Sequence, residues 1–151
     1  MINRKHIGHC FAPHSVEVEQ GQLKFFAKAI GETNPIYLDV DAARVAGHPA
    51  LPAPPTFAFC LTLAKPDPFD WMPQLGVDLS RVLHGEQHFN YTKKLIYAGD
   101  RITLTQRIAD IYDKKGGTLE FIVLDSTVTN QHGDDLGSMR NVTVMRTGDA
   151  I

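Results

Sequence analysis

At 151 residues the chain can bury roughly 70% of its unfolded surface in one core, which excludes the small folds that depend on disulfide or metal staples. Its 43% apolar and 21% charged residues exclude a disordered or fibrous protein, and a formal charge of -2 excludes the basic footprint that phosphate binding requires of a nucleic-acid partner.

The opening MINRKHIGHC is basic but lacks the apolar stretch of a signal peptide, and no apolar run approaches the ~20 residues of a membrane span. No membrane partner is therefore expected. His6 and His9 lie close in sequence without a third ligand, so no metal and no cofactor is read. Cys10 and Cys60 are too few for a disulfide framework and lack C-x-x-C spacing; they read as reduced thiols in a cytoplasmic protein. A strand is expected near Ser15 to Glu19. Leu23, Phe26, Ala27 and Ile30 then fall at i, i+3, i+4 and i+7, the spacing of a helix with one buried face, and Gly31 ends it.

GETNPIYLD, residues 31–39, follows. Pro35 fixes its own φ and restricts Asn34, so the loop holds the Glu32 carboxylate, the Asn34 amide and the Tyr37 phenol close together. Such a cluster can perform acid-base chemistry or brace a turn. A short helix is expected from Asp41, as N-cap, to Gly47. The next loop, His48 to Pro55, is stiffened by Pro49, Pro52, Pro54 and Pro55. TFAFCLTLA, Thr56 to Ala64, is apolar on every side of a helical wheel and reads as a buried helix, capped by Thr56 and stopped at Lys65-Pro66. From Pro66 to Ser80 runs a long loop carrying Phe69, Trp71 and Met72, of the kind that is usually functional or mobile.

The period then changes. A strand is expected over Val82 to Lys93, with His84, Glu86, His88, Asn90 and Tyr91 sharing one face. Ile102, Leu104, Gln106 and Ile108 alternate with Arg101, Thr103, Thr105 and Arg107, as in a half-buried strand. The turns KKGG and QHGDD separate it from TLEFIVLDSTVTN and SMRNVTVMR, which completes a three-strand meander. The fold class is α+β, with an antiparallel sheet wrapping a long helix.

FAKAIGETNPIYLD, AARVAGHPALPAPPTF, VLHGEQHFNYTKKLIYAGD and the meander after Asp100 together resemble the MaoC-like hotdog-fold dehydratases and hydratases. The likeness is to the short, FAS1-like type that matches an N-terminal half, similar to the non-catalytic subunit of (3R)-hydroxyacyl-ACP dehydratases. It covers nearly the whole chain in order. The resemblance implies one hotdog domain over residues 1–151, pairing into a double-hotdog dimer with a second hotdog subunit, identical or different. It also implies an acyl-CoA or acyl-carrier-protein thioester bound between the two, and reversible hydration of a 2-enoyl thioester.

Catalytic members of that family carry aspartate, any residue, asparagine, proline, an aliphatic residue and histidine in this loop. Here Glu32 replaces the aspartate and Tyr37 the histidine, while Asn34 and Pro35 match. The additional bond of about 1.5 Å in Glu32 displaces the carboxylate, and a phenol with an ordinary pKa near 10 exchanges protons poorly at neutral pH. Where those members place a histidine-glycine pair whose N–H faces the thioester carbonyl, this chain has Pro54 and Pro55, and proline has no N–H to give.

The candidate catalytic residues are thus Glu32 and Tyr37, at degenerate positions. The candidate substrate-binding residues are Asn34, Pro55, Thr56, Phe57, Tyr91, Lys93 and Lys94. Each has a plainer role available. Glu32 can be solvated or bonded to its own loop, Tyr37 packed, Asn34 a turn former, the Pro54 to Phe57 segment a helix entry, and Lys93, Lys94 and Arg101 solvated strand ends. The function expected is that of a dehydratase subunit that binds the acyl thioester while a partner chain supplies the main catalytic residues. The alternatives are a non-catalytic acyl-CoA-binding homodimer, or a self-sufficient hydratase or thioesterase using Glu32.

Overall fold

The computed structural model describes residues 1–147. Its frame is a five-stranded antiparallel sheet in the order β1-β3-β4-β5-β2, formed by β1 (His14–Glu17), β2 (Val82–Tyr91), β3 (Arg101–Lys114), β4 (Leu119–Thr129) and β5 (Asp135–Arg146). The meander is continuous because both turns use left-handed backbone: Lys115, Gly116 and Gly117 at φ 53°, 64° and 85°, and Gly133 at 77°. β3 outruns the expected strand because its alternation resumes after a bulge between Ile108 and Asp110, which returns Ile111 to the inner face.

The helices are α1 (Gln20–Ala29), α2 (Val40–Val45), α3 (Ala58–Thr62) and α4 (Trp71–Gln74). α1 ends as expected at Gly31, whose φ is 73°. α2 is capped two residues earlier than Asp41 predicts. The Asp39 carboxylate accepts the Ala42 N–H at 2.8 Å, while Asp41 lies inside the first turn and pairs with Arg44 at 3.5 Å.

The apolar segment after the prolines is not one long helix. It opens as a 3-10 turn, Pro55–Phe57, and continues as α3 for five residues. Pro54 stands at its cap position, so no side chain supplies the cap that Thr56 was expected to give. Thr62 closes it early by donating its hydroxyl to the Phe59 carbonyl at 2.7 Å, a bond that competes with helix continuation.

α3 lies against the inner face of the sheet, the hotdog arrangement. One core joins Phe57, Ala58 and Leu61 to Ile102, Leu104, Val128 and Met139. A second joins Ile108, Ile111, Ile122, Leu124 and Met145 to Trp71 and Met72. The long loop from Pro66 is therefore not open. α4 folds its Trp71 and Met72 onto the sheet at 8% and 3% exposure.

Candidate functional site

The GETNPIYLD loop is braced by its own side chains. The Glu32 N–H donates to the Ala27 carbonyl at 2.9 Å, which seats the residue on the end of α1. Its Oε1 then accepts the backbone N–H groups of Thr33 at 2.9 Å and Asn34 at 2.8 Å. Asn34 Oδ1 accepts the Ile36 N–H at 3.2 Å and caps the 3-10 turn Pro35–Tyr37. Glu32 and Tyr37 are half-buried and Asn34 is exposed. The loop thus has a defined shape, with one carboxylate oxygen engaged in holding it.

Across α1, Phe26 meets Phe57 edge-on at 5.4 Å between ring centroids. This contact ties the loop-bearing helix to the 3-10 turn at Pro55. Phe57 is 3% exposed and its N–H donates to the Pro54 carbonyl at 2.9 Å, so Phe57 is a core residue with its amide engaged. Pro55 and Thr56 are exposed. With two prolines and the Phe57 amide accounted for, Thr56 supplies the turn's one N–H without an acceptor among the described residues.

β2 ends at Tyr91, two residues sooner than Lys93, because the Thr92 hydroxyl turns the chain. It donates to the Asp135 carbonyl at 3.1 Å and accepts the Lys94 N–H at 3.2 Å. Pro55, Tyr91 and Lys94 meet in a small groove of about 50 Å³ with Leu95 and Ile96. Tyr91 stacks on Phe89 with the rings nearly parallel and 5.9 Å apart, and burial pushes its hydroxyl pKa up. Lys94 pairs with Asp134, whose pKa is held down by hydrogen bonds from Lys94 and Asn130. Lys93 is exposed and has no ion-pair partner among the described residues.

The polar face expected on β2 is split. Gly85 is the extra residue of a bulge between His84 and Glu86, and a Cβ there would meet Val144 Cγ2 at 2.7 Å. The bulge reverses parity, so His84 shares the inner face with Gln87, Phe89 and Tyr91, while Glu86, His88 and Asn90 take the outer face. His84 stacks on Phe59 of α3 at 5.1 Å.

This inner face holds residues that sequence reasoning missed. A cavity of about 260 Å³ lies beside α3, with Phe59, Thr62 and Leu63 on one wall and Trp71 and Met72 on another. Its floor is polar: Gln106, Ser126, Asn141 and Thr143 from β3 to β5, with His84 and Gln87 from β2. The signal was present in Gln106, a polar residue in an inward register between Leu104 and Ile108.

A family model for the FAS1-like dehydratase domain region matches residues 5–138. Among curated relatives, a UPF0336 protein of Thermobifida fusca is 35% identical over 150 residues, spanning 99% of this chain and 96% of that protein. A UPF0336 protein of Saccharopolyspora erythraea is 34% identical over 146 residues, spanning 96% and 92%. Among solved structures, the HadBC (3R-hydroxyacyl-ACP dehydratase) complex of Mycobacterium tuberculosis superposes with a TM-score of 0.77 at 24% identity, covering 92% of this chain and 96% of that one. The R-hydratase PhaJ1 of Pseudomonas aeruginosa gives 0.68 at 17% identity, covering 95% and 83%. At these identities the structures show a shared hotdog fold, and the match over residues 5–138 shows the family: the chain belongs to the FAS1-like dehydratase domain region family.

Proposed function

We propose that the chain, acting as one hotdog domain over residues 1–151, is the acyl-thioester-binding subunit of a 3-hydroxyacyl-CoA or acyl-carrier-protein dehydratase, that is, a 2-enoyl thioester hydratase. A second hotdog subunit supplies most of the acid-base chemistry. The observation that carries this reading is the double acceptance of the Thr33 and Asn34 N–H groups by Glu32 Oε1. Hydration needs a base for the water, an acid for the α-carbon and a donor for the thioester oxygen. This loop engages one oxygen of its carboxylate with its own backbone and offers a phenol in place of an imidazole. What it retains suits binding. In the turn leading into α3, Thr56 presents an N–H and a hydroxyl without a partner among the described residues, and the Pro55, Tyr91 and Lys94 groove with the exposed Lys93 offers an apolar slot beside a cation for a pantetheine arm and its phosphates.

The test measures hydration of crotonyl-CoA by the purified chain, alone and co-purified with a hotdog chain that carries the complete aspartate and histidine loop. Negligible rates alone and robust rates together are expected, with acyl-CoA bound more tightly than free CoA. Robust hydration by the chain alone that collapses in Glu32→Ala overturns the division of labour. Acyl-CoA binding without activity under either condition favours a carrier, and thioester cleavage without hydration a thioesterase.

A further inference from the structure

Between the two apolar cores, the inner face of the sheet carries a polar band whose members bond to one another. The Gln106 amide donates to Ser126 Oγ at 3.2 Å. Asn141 Nδ2 lies 3.0 Å from His84 Nε2 and donates to Gln87 Oε1 at 3.2 Å, while the Thr143 hydroxyl donates to Asn141 Oδ1 at 2.9 Å. Register lays the band out as two adjoining groups: Gln106 faces Ser126 across the β3–β4 pair, Asn141 and Thr143 face Gln87 and His84 across the β5–β2 pair, and between the groups Ser126 faces Met139 and Asn141 faces Leu124. Ser126 and Thr143 are only 4% and 5% exposed. Polar groups withdrawn from water this far cost free energy unless they are bonded.

The internal bonds do not exhaust the band. With the Asn141 amide as donor, the neutral His84 ring carries its proton on Nδ1, a donor left over. Ser126 accepts from Gln106 and keeps its own O–H. Gln106 Oε1 has no protein partner among the described residues, yet it is not among the sealed polar atoms, so it is reachable from the cavity. Opposite stand Phe59, Leu63, Trp71 and Met72. Phe59 and Leu63 follow Thr56 at i+3 and i+7, so the cavity lies along the segment that Thr56 heads, roughly 10 Å farther on by helical rise.

We propose that this cavity selects the acyl group, and that it prefers a compact acyl chain bearing a hydroxyl or keto oxygen remote from the thioester over an unsubstituted alkyl chain of the same length. The inference rests on the acyl-thioester reading above. At about 30 Å³ for each water-sized group, the 260 Å³ cavity holds roughly nine heavy atoms, which suits a short acyl chain. An alkyl chain entering it strips water from the Ser126, Gln106 and His84 groups and returns no hydrogen bond. A chain oxygen returns one, and sites built around such a bond discriminate strongly against analogues that lack it.

The experiment is calorimetry on the protein in the assembly it forms, comparing hexanoyl-CoA with the same thioester carrying a keto group on its penultimate carbon. The keto thioester should bind about tenfold more tightly or better, and the preference should vanish in the double variant Ser126→Ala with His84→Phe, which removes the two leftover donors. If that variant does not fold, Ser126→Ala alone, which removes one of the two donors and breaks one side-chain bond, should weaken the preference and carries the same comparison. Equal affinity for the two thioesters, or a preference that survives these substitutions, overturns the inference and leaves the acyl-thioester reading intact. Failure of both to bind the unsubstituted protein overturns that reading and the inference with it.

Discussion

Glu32 shows how a carboxylate that looks catalytic in sequence can also brace its own loop. Two backbone N–H groups on a single oxygen fix the backbone between α1 and the Asn34 cap. Glu32→Ala should therefore lower stability by about 1 kcal/mol, read as a shift in the urea midpoint, while the assembled enzyme loses far less than the ~100-fold expected of a general acid or base. Tyr37→Phe should cost less still. A second carboxylate, Asp125, links three strands on the outer face. It accepts from Arg140 at 2.7 and 3.0 Å and from Arg107 at 3.2 Å, and the Arg140 hydrogen bonds, more than the guanidinium charges, hold its pKa below the usual carboxylate range. A depressed folded-state pKa contributes stability above the unfolded value of ~3.9 that disappears as the pH falls through the lower folded value. Unfolding midpoints of Asp125→Asn should approach those of the unsubstituted chain as the pH falls from roughly 6 toward 2; a constant gap would remove Asp125 from the acid response.

At the scale of elements, strand placement depends on a few glycines. Gly137 opens the β5–β2 pairing at φ 122°, and a Cβ there would lie 2.3 Å from the Asn90 carbonyl oxygen. The contact is backbone and cannot swing away. Gly137→Ala should lose about 3 kcal/mol or more, whereas Gly116→Ala, at φ 64° in open space, should cost about 1 kcal/mol. Similar thermal shifts for the two would mean that β2 tolerates displacement at its end. The shortness of α3 belongs to this scale also. Had the helix continued past Thr62, its next turn would fill the space into which Leu63, Phe69 and Met72 now face.

At the scale of the molecule, the sheet stops at β2, which among the described residues pairs with β5 alone. Along and just beyond that edge Leu83, Tyr91 and Leu95 are 46%, 60% and 45% exposed. An unprotected edge bearing large apolar side chains pairs with another strand. The chain should not persist as a monomer at micromolar concentration, and sedimentation giving the mass of a single chain would exclude the paired sheet. Charge on the edge should reveal its position: Leu83→Lys should weaken association more than Val45→Lys, although Val45 is 91% exposed. No helix among the described residues is long and apolar enough to cross a membrane.

Local chemistry determined what the sequence disclosed by itself. Gly31 and Gly47 stop their helices because left-handed backbone is cheap for glycine. Pro35 shapes the loop by fixing φ, and the meander follows from alternation broken at two turns. The family resemblance likewise rests on ordered local motifs. Only the tertiary structure decided where identical chemistry would be used. Asp39 and Asp41 are equally good caps by type, and the chain's path after the 3-10 turn chose Asp39. His84 changed faces because Gly85 fits against Val144 as a bulge, and parity read along one strand cannot contain that contact. The polar band on the cavity floor came from strands up to 57 residues apart in sequence. A lone Gln106 or Thr143 signals little, and the strand register that brings them together is a property of the folded sheet.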